Sequence, residues 1–345
     1  MLVNRRIWFG FAITAVFLGL LFLQIDLSQT VEALLEGNFV YLIPGIAVYF
    51  LAVYFRALRW KFLLSHLKHI PASNLFSVVV VGYMANNLLP VRLGEVVRSY
   101  YLSQREGISK SAILGTILLE RVMDFLTLVL FLGVAAIVLP VDRFIYELAA
   151  KFKVPGSLLV LGILAPFITV VAGIVLAAIR PSLPIRGMAF LLQWLPKKIK
   201  EKFVAFLSQF IFGFASLRDL RRVQIMFLLS LPIWFFEATM LYIIGFSFKL
   251  HHFFQDGVEM AFVVLAVTAV ANIATSIPSS QGGVGPFEFF AIGTLVLSGV
   301  SPEIATAYTI TMHLALLLPV VIAGLVILWI RNVNFRELIG RVKVK

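Results

Sequence analysis

The chain has 345 residues, of which 61% are hydrophobic and 13% are charged, and its mean hydropathy is +1.00. Soluble domains carry about 25% charged residues, so this composition excludes an ordinary soluble protein. The net charge of +12 is typical of the basic side of a membrane protein, and we expect no nucleic acid as a partner. Without cysteine or a nucleotide-binding loop, the sequence predicts neither a metal nor a cofactor.

The apolar residues form long blocks, which we interpret as transmembrane helices because about 20 apolar residues span a bilayer. The first block follows Arg5 and Arg6 as in a signal peptide. It is longer than a signal-peptide core and no small-residue cleavage site follows it, so we expect a retained helix. The predicted spans are 7–25, 39–64, 111–139, 157–179, 223–248, 258–277, 287–300 and 303–330.

Two segments depart from this pattern. Residues 74–89 are apolar but short, have basic flanks on both sides and contain Gly82, Asn86 and Asn87. We interpret them as part of a re-entrant hairpin, whose irregular backbone must be buried in protein or line a wet cavity. In 188–215, lysines interleave with leucines and phenylalanines, which predicts an amphipathic helix lying in the membrane interface.

The distribution of basic residues sets the orientation. With the N-terminus inside, 24 of the 29 Lys and Arg residues fall on the cytoplasmic side and four fall outside. The positive-inside rule then predicts that both termini are cytoplasmic. We expect the membrane to be the plasma membrane of a prokaryote. The chain crosses eight times if 258–300 spans twice. It crosses six times and carries two hairpins if 258–300 is re-entrant.

The two interruptions resemble each other. Both 86–95 and 272–288 run Asn, Pro, Gly, Glu, with different spacings. The alternatives are ordinary kinks or an inverted repeat, with halves 1–155 and 156–345 of a single membrane domain, 1–345. The predicted fold is therefore all-α, a polytopic transmembrane helix bundle with one or two re-entrant hairpins and, on the second alternative, an inverted repeat. Broken segments at matching positions of two halves point to a transport site.

Ionisable residues inside the predicted span 111–139 are the next signal. Each costs on the order of 2.5–3.5 kcal/mol at a helix centre, so each usually has a partner or a function. Glu120 and Asp124 share a helix face, where they can hold a cation or an arginine from the hairpin, and Arg121 points away from them. The alternative is a purely structural ion-pair cluster.

Arginines flank these carboxylates in sequence. Arg92, Glu95 and Arg98 follow the first interruption at helical spacing, so adjacent members are expected to neighbour each other. Arg56 and Arg59 end the second span one turn apart. Arginine binds phosphate bidentately, which predicts an anionic headgroup site. The alternatives are cytoplasmic flank charge for the first set and snorkelling at the interface for the second.

The segment 281–288 is rich in glycine. Gly282, Gly283 and Gly285 permit close backbone approach, and Pro286 suits the first turn of a helix whose free N–H groups favour an anion. Glu288 follows, and Glu237 and His313 are buried by position. A competing interpretation is an intramembrane enzyme in which Ser279 or Ser280 and His313 form a nucleophilic dyad.

Four strings taken together resemble one family: RALRWKFLL, NNLLPVRLGEVVRSYYL, ILLERVMDF and PSSQGGVGPFEFF. They are similar to the flippase-like family, the membrane domain of lysylphosphatidylglycerol synthase (multiple peptide resistance factor) and its stand-alone relatives. The resemblance implies movement of aminoacylated phosphatidylglycerol or other lipids across the bilayer. Its motifs fall on Arg92, Gly94, Glu95, Arg98, Glu120, Arg121, Asp124, Gly282, Gly283, Gly285 and Glu288.

The full synthase continues into a cytosolic transferase domain, whereas about 15 residues follow the last predicted helix. We therefore expect a membrane protein that binds and translocates a phospholipid or a lipid-linked anionic substrate, with no enzymatic activity of its own. The expected partners are phospholipid with an anionic or aminoacylated headgroup, the membrane and, as an option, a second copy of the chain. The alternatives are an intramembrane enzyme acting on lipids and an accessory subunit of a separate lipid aminoacyl or glycosyl transferase.

Overall fold

A computed structural model describes residues 2–23, 25–89, 93–139, 149–150, 153–277, 279 and 281–334. These residues form thirteen α-helices and short 3₁₀ turns, with no β-strand among them. The predicted all-α membrane bundle is confirmed. In chain order the helices are α1 (Leu2–Phe22), α2 (Leu27–Leu35), α3 (Leu42–Leu64), α4 (Ala72–Leu88), α5 (Leu93–Glu106), α6 (Lys110–Ala135), α7 (Gly156–Ile179), α8 (Ser182–Leu191), α9 (Lys197–Phe212), α10 (Leu220–Gly245), α11 (Gly257–Ala274), α12 (Pro286–Leu297) and α13 (Pro302–Ile330).

Five helical stretches within the described residues are long and apolar enough to cross a membrane by length and composition: Phe39–Leu64, Gly156–Ile179, Leu220–Phe248, Gly257–Ala274 and Pro302–Ile330. Each corresponds to a block identified by hydropathy. Helix α6 is also long, at 26 residues, but carries Glu120, Arg121 and Asp124 in its middle. Helix α2 was not expected; the Asp26 carboxylate caps it by accepting from the N–H groups of Ser28 and Gln29.

Helices α4 and α5 pack as an antiparallel hairpin. A Cβ on Gly82 would meet the Arg98 side chain, and a Cβ on Gly94 would overlap the backbone N of Asn86 and the carbonyl oxygen of Gly82. The two helices therefore lie in close contact. They are antiparallel, because the earlier residue on α4 (Gly82) meets the later residue on α5 (Arg98), and Asn86 meets Gly94. Helix α5 has 14 residues, fewer than the ~20 needed for a span.

Helices α11 and α12 form the second hairpin, and its tip contains the 3₁₀ turn Gln281–Gly283. Gly282, Gly283 and Gly285 have φ angles of 69°, 84° and 100°, where a side chain would be strained. Helix α12 has 12 residues, too short to cross a bilayer. This length favours the re-entrant alternative, which stays a prediction.

The helices of the two halves pack in matching pairs. Helix α3 lies along α10, α4 lies along α13, and α6 lies along α11. With α2, α8 and α9 left aside, residues 1–155 and 156–345 share the order of long helix, long helix, hairpin, long helix: α1, α3, α4–α5, α6 and then α7, α10, α11–α12, α13. The apolar core includes the fully buried Trp60, Tyr308 and Phe287, and it encloses the charged residues described below.

The segment 188–215 contains the end of α8 and the whole of α9, separated by a break before Pro196. Proline has no backbone N–H, so it suits the start of a helix and not its interior. The turn after α9 docks on the end of α3, where His66 contacts the Ser216 hydroxyl and the Phe212 carbonyl. Burial lowers the pKa of His66, so this contact involves a neutral imidazole at neutral pH.

Candidate functional site

The tips of the two hairpins line one cavity of about 330 Å³ inside the bundle. Both polar and apolar side chains face it, which is unusual for the interior of a membrane protein. The first hairpin contributes Asn86, Asn87 and Glu95, and the second contributes Asn272, Ser276 and Gly282, among others. The remaining polar lining comes from the long helices: Tyr49, Arg56, Arg121, Trp234, Glu237 and His313.

An ion-pair network forms one wall of this cavity. Arg56 donates to the Glu237 carboxylate at 2.6 Å, and its guanidinium lies 3.9 Å from Asp124. Arg59 donates to Asp124 at 2.7 Å and to the Ser230 hydroxyl at 2.7 Å. These helices, α3, α6 and α10, are thus joined by charges whose side chains are at most 6% exposed.

Arg98 from the first hairpin binds Glu120 with two hydrogen bonds, of 2.5 and 3.1 Å. The guanidinium also stacks on the Trp60 ring, 3.6 Å from its centroid. The indole N–H of Trp60 donates to the Thr116 hydroxyl. The expectation that α6 carboxylates hold an arginine of the hairpin is therefore met by Glu120, and the pair fixes the hairpin to α6.

Arg121 and Glu95 meet at the cavity with a nitrogen-to-oxygen distance of 3.5 Å, and Arg121 lies equally far from Asp124. Their side chains are 29% and 26% exposed, so this pair is looser and wetter than the others. Glu95 and Arg98, expected as neighbours on one helix, both lie on α5 but form no ion pair with each other among the described residues. Each finds a partner on α6, because that helix packs against α5.

The glycine-rich segment is tied to α13 through Glu288. One carboxylate oxygen accepts from the Gly285 N–H at 2.7 Å, which caps α12, and the other lies 2.5 Å from Nδ1 of His313. His313 Nε2 lies 3.2 Å from the Gly282 carbonyl, and its ring stacks on Phe287. His313 thereby fixes the shape of the tip from the centre of a neighbouring helix.

Replacing Glu288 by alanine should remove both the cap of α12 and the His313 contact. We expect a loss of about 1–3 kcal/mol of folding free energy, the usual range for a lost cap plus a buried partner. Glu288→Gln, which can still accept from Gly285, should lose less. Denaturant titration in mixed micelles, followed by far-UV circular dichroism, measures both. Equal losses for the two variants would contradict the assigned cap.

The site residues predicted from the sequence fall into two groups in the structure, those that line the cavity and those that do not. Arg56, Glu95, Arg121, Gly282 and Gly283 line the cavity. Arg59, Arg98, Glu120, Asp124, Gly285 and Glu288 lie behind it, in the pairs that hold the lining residues. Arg92 lies outside the described residues. The cavity is also lined by polar and aromatic residues that the sequence analysis did not assign to the site: Tyr49, Tyr83, Asn86, Asn87, Trp234, Asn272, Thr275 and Ser276.

The proposed serine dyad gains no support from this geometry. Ser279 lines the cavity and is 5% exposed, whereas Ser280 lies outside the described residues. Both ring nitrogens of His313 have partners other than Ser279, namely Glu288 and the Gly282 carbonyl. A general base must be within hydrogen-bond reach of its nucleophile. The ring nitrogens of His313 instead contact Glu288 and the Gly282 carbonyl, so the geometry does not favour a dyad with Ser279.

Comparison with known proteins agrees with the architecture. The family model described as the lysylphosphatidylglycerol synthase TM region matches residues 7–324, nearly the whole chain. The chain belongs to this family. It is accordingly a multi-pass helical membrane protein. The match includes every residue that lines the cavity.

Three relatives illustrate the family's range. Glycosyltransferase AglD of Haloferax volcanii is 23% identical over 334 residues, 90% of this chain and 52% of that protein. Two UPF0104 membrane proteins of Methanocaldococcus jannaschii also match. One is 31% identical over 115 residues, which cover 32% of this chain and 34% of that protein. The other is 26% identical over 250 residues, which cover 72% of this chain and 94% of that protein. The chain thus spans about half the length of AglD.

Proposed function

We propose that this protein translocates phospholipid across the bilayer, with the headgroup passing through the cavity between the two hairpin tips while the acyl chains stay in lipid. The observation that carries the proposal is a cavity of roughly 330 Å³ with charged and polar residues in its lining, inside an otherwise apolar bundle. Polar groups inside a membrane are expensive and usually mark a substrate path. The cavity is within the size range of small-molecule sites.

The charges at the cavity can serve both ends of a headgroup. Arg56 and Arg121 can donate to phosphate oxygens, and Glu95 and Glu237 can accept from an amine. The Arg121–Glu95 pair, with its 3.5 Å separation, is the contact that opens most easily. Its exchange for phosphate and amine contacts would offset part of the headgroup's desolvation.

The matching order and pairing of helices support two inverted halves. With three full crossings in the first half, the second half would enter the membrane from the other side. The two hairpins would then point at the cavity from opposite faces, which is the arrangement expected of a transporter with alternating access. On this view both termini are cytoplasmic in a prokaryotic plasma membrane.

Transport is tested in proteoliposomes with acyl-labelled phosphatidylglycerol, phosphatidylethanolamine and phosphatidylcholine. Dithionite quenching reports which leaflet holds the label. We expect the wild-type chain to scramble at least one of these lipids. Arg121→Gln, which removes a phosphate donor worth roughly 1.5–3 kcal/mol, should slow scrambling by about tenfold or more.

The matched control is Lys198→Gln, which removes one positive charge from exposed α9, away from the cavity. It should scramble at the wild-type rate. Glu95→Gln tests the amine end, and it should slow phosphatidylethanolamine more than phosphatidylglycerol. Wild-type rates equal to those of empty liposomes for all three lipids would refute the proposal.

A second candidate is an accessory membrane subunit of a separate transferase. The match to roughly half of a protein named glycosyltransferase AglD favours it, because the remaining part of that protein has no counterpart in this alignment. Affinity purification in mild detergent distinguishes the two functions. A soluble lipid-modifying transferase bound in stoichiometric amount, together with absent scrambling, would favour the subunit.

A further inference from the structure

A second concavity lies at one end of the bundle. This basic end is where α3, α5 and α13 finish and where α4 and α6 begin. Lys68 after α3 pairs with Glu106 of α5, and Arg331 after α13 donates to Ser77 near the start of α4. The concavity measures about 320 Å³ and is lined by Tyr101, Arg105, Arg331 and Val333.

This concavity is separate from the central cavity. None of its lining residues borders the central cavity. Arg331, the residue directly after α13, follows His313 by 18 positions, which places it roughly 27 Å further along the helix axis at 1.5 Å per residue. Any ligand here would therefore be additional to a headgroup in transit.

Tyr101 is the first sign of a ligand. Tyr101 is 4% exposed, and its hydroxyl has no hydrogen-bond partner among the residues that the structure describes. Buried hydroxyl groups nearly always have one, because losing water without a replacement costs free energy. Tyr101 also lines the concavity, but its hydroxyl oxygen is buried, so a ligand must displace the atoms that cover this oxygen in order to accept its proton.

Two arginines supply the charge. The Arg105 guanidinium lies over the Tyr101 ring, 5.6 Å from its centroid. Arg331 uses one nitrogen on the Ser77 hydroxyl, at 2.9 Å, and keeps further N–H groups available. Across the described residues neither arginine is in an ion pair, since nearby Glu106 is taken by Lys68. Two guanidinium groups beside a free O–H donor match the oxygens of a phosphate.

We propose that Tyr101, Arg105 and Arg331 form a second binding site, which takes a phosphate group at the basic end of the bundle. The neighbouring Trp329 and Ile330 are 79% and 67% exposed. An exposed tryptophan beside an arginine at a helix end is typical of the membrane–water interface. This favours the phosphate of an anionic membrane lipid over a soluble phosphate as the source.

The site is tested with photoactivatable phosphatidylglycerol and the full chain in detergent micelles. Crosslinks are mapped by mass spectrometry to the peptides that carry α5 and the end of α13. Wild type should crosslink at both. Arg105→Gln/Arg331→Gln should lower the yield about fivefold or more, because it removes both charged donors.

Tyr101→Phe is the sharper variant, because it keeps the ring, its packing and the Arg105 contact and removes only the hydroxyl. We expect about a threefold lower yield with an unchanged elution volume in size-exclusion chromatography. Arg186→Gln, an exposed arginine on α8, should crosslink as wild type does. Equal yields from all four proteins would overturn the proposal.

A parallel arm separates the two phosphate sources. Inorganic phosphate is titrated while its ³¹P line width is followed. A soluble phosphate compound at the same site would be supported by two results together. The wild-type protein broadens the ³¹P line whereas Arg105→Gln/Arg331→Gln does not, and no lipid crosslinks are found. Neither crosslinks nor broadening with the wild-type protein would overturn the site itself. These outcomes do not depend on whether the central cavity transports lipid.

Discussion

Replacing Arg98 by methionine is expected to lower the free energy of unfolding by about 3–5 kcal/mol, the range for breaking a buried ion pair. The Arg98 and Glu120 side chains are 6% and 2% exposed and share two hydrogen bonds. Without Arg98, the Glu120 carboxylate would stay buried in the bundle without its hydrogen-bonded counter-charge. Titration with sodium dodecyl sulfate in mixed micelles, followed by far-UV circular dichroism, measures the loss.

Two controls separate the buried charge from the loss of side-chain volume. The double variant Arg98→Met/Glu120→Leu removes both charges, and it should recover most of the stability because no unpaired carboxylate is left. Arg222→Met breaks an exposed pair with Asp219, whose side chains are 43% and 51% exposed. Such a pair contributes about 1 kcal/mol or less. If Arg98→Met lost no more than Arg222→Met, the Arg98–Glu120 pair would not anchor the hairpin.

The helices could be predicted from sequence because the bilayer requires long apolar segments. Hydropathy therefore located all the long spans, and the basic flanks around α4 indicated that the first interruption was unusual. The short helix α2 was missed because its identity depends on a single cap by Asp26. The break before Pro196 was missed because apolar and basic residues continue through it.

The partners of the charged residues were harder to predict. Spacing correctly put Glu120 and Asp124 on one face of α6, but the expectation that Arg121 points away from them is wrong for Asp124, which lies 3.5 Å from the Arg121 guanidinium. In the folded chain, Arg98 is 22 positions from its partner and Arg56 is 181 positions from Glu237. Such contacts depend on which helices pack together, and the spacing of residues within one helix does not predict its neighbours. A polar signal was nevertheless present, since Asn86, Asn87 and Asn272 interrupt apolar runs.

The close approach of the first hairpin leads to the second prediction, that Gly94→Ala destabilises the chain by about 1–3 kcal/mol. The added Cβ would overlap the backbone N of Asn86 and the carbonyl oxygen of Gly82. Backbone atoms cannot rotate out of the way, so α5 must shift relative to α4. Glu95, the next residue, would move with it and change the wall of the cavity. Denaturant titration in mixed micelles reports the stability.

Gly133→Ala is the matched control, because nothing lies within 4 Å of a Cβ added there on α6. Alanine is the better helix former by about 1 kcal/mol, so this variant should be neutral or slightly stabilising. Opposite effects of the same chemical change would show that the hairpin depends on backbone contact at Gly94. If Gly94→Ala were as stable as Gly133→Ala, the two helices would not approach as closely as described. The tip would then lack the rigidity needed to hold Asn86 and Glu95 at the cavity.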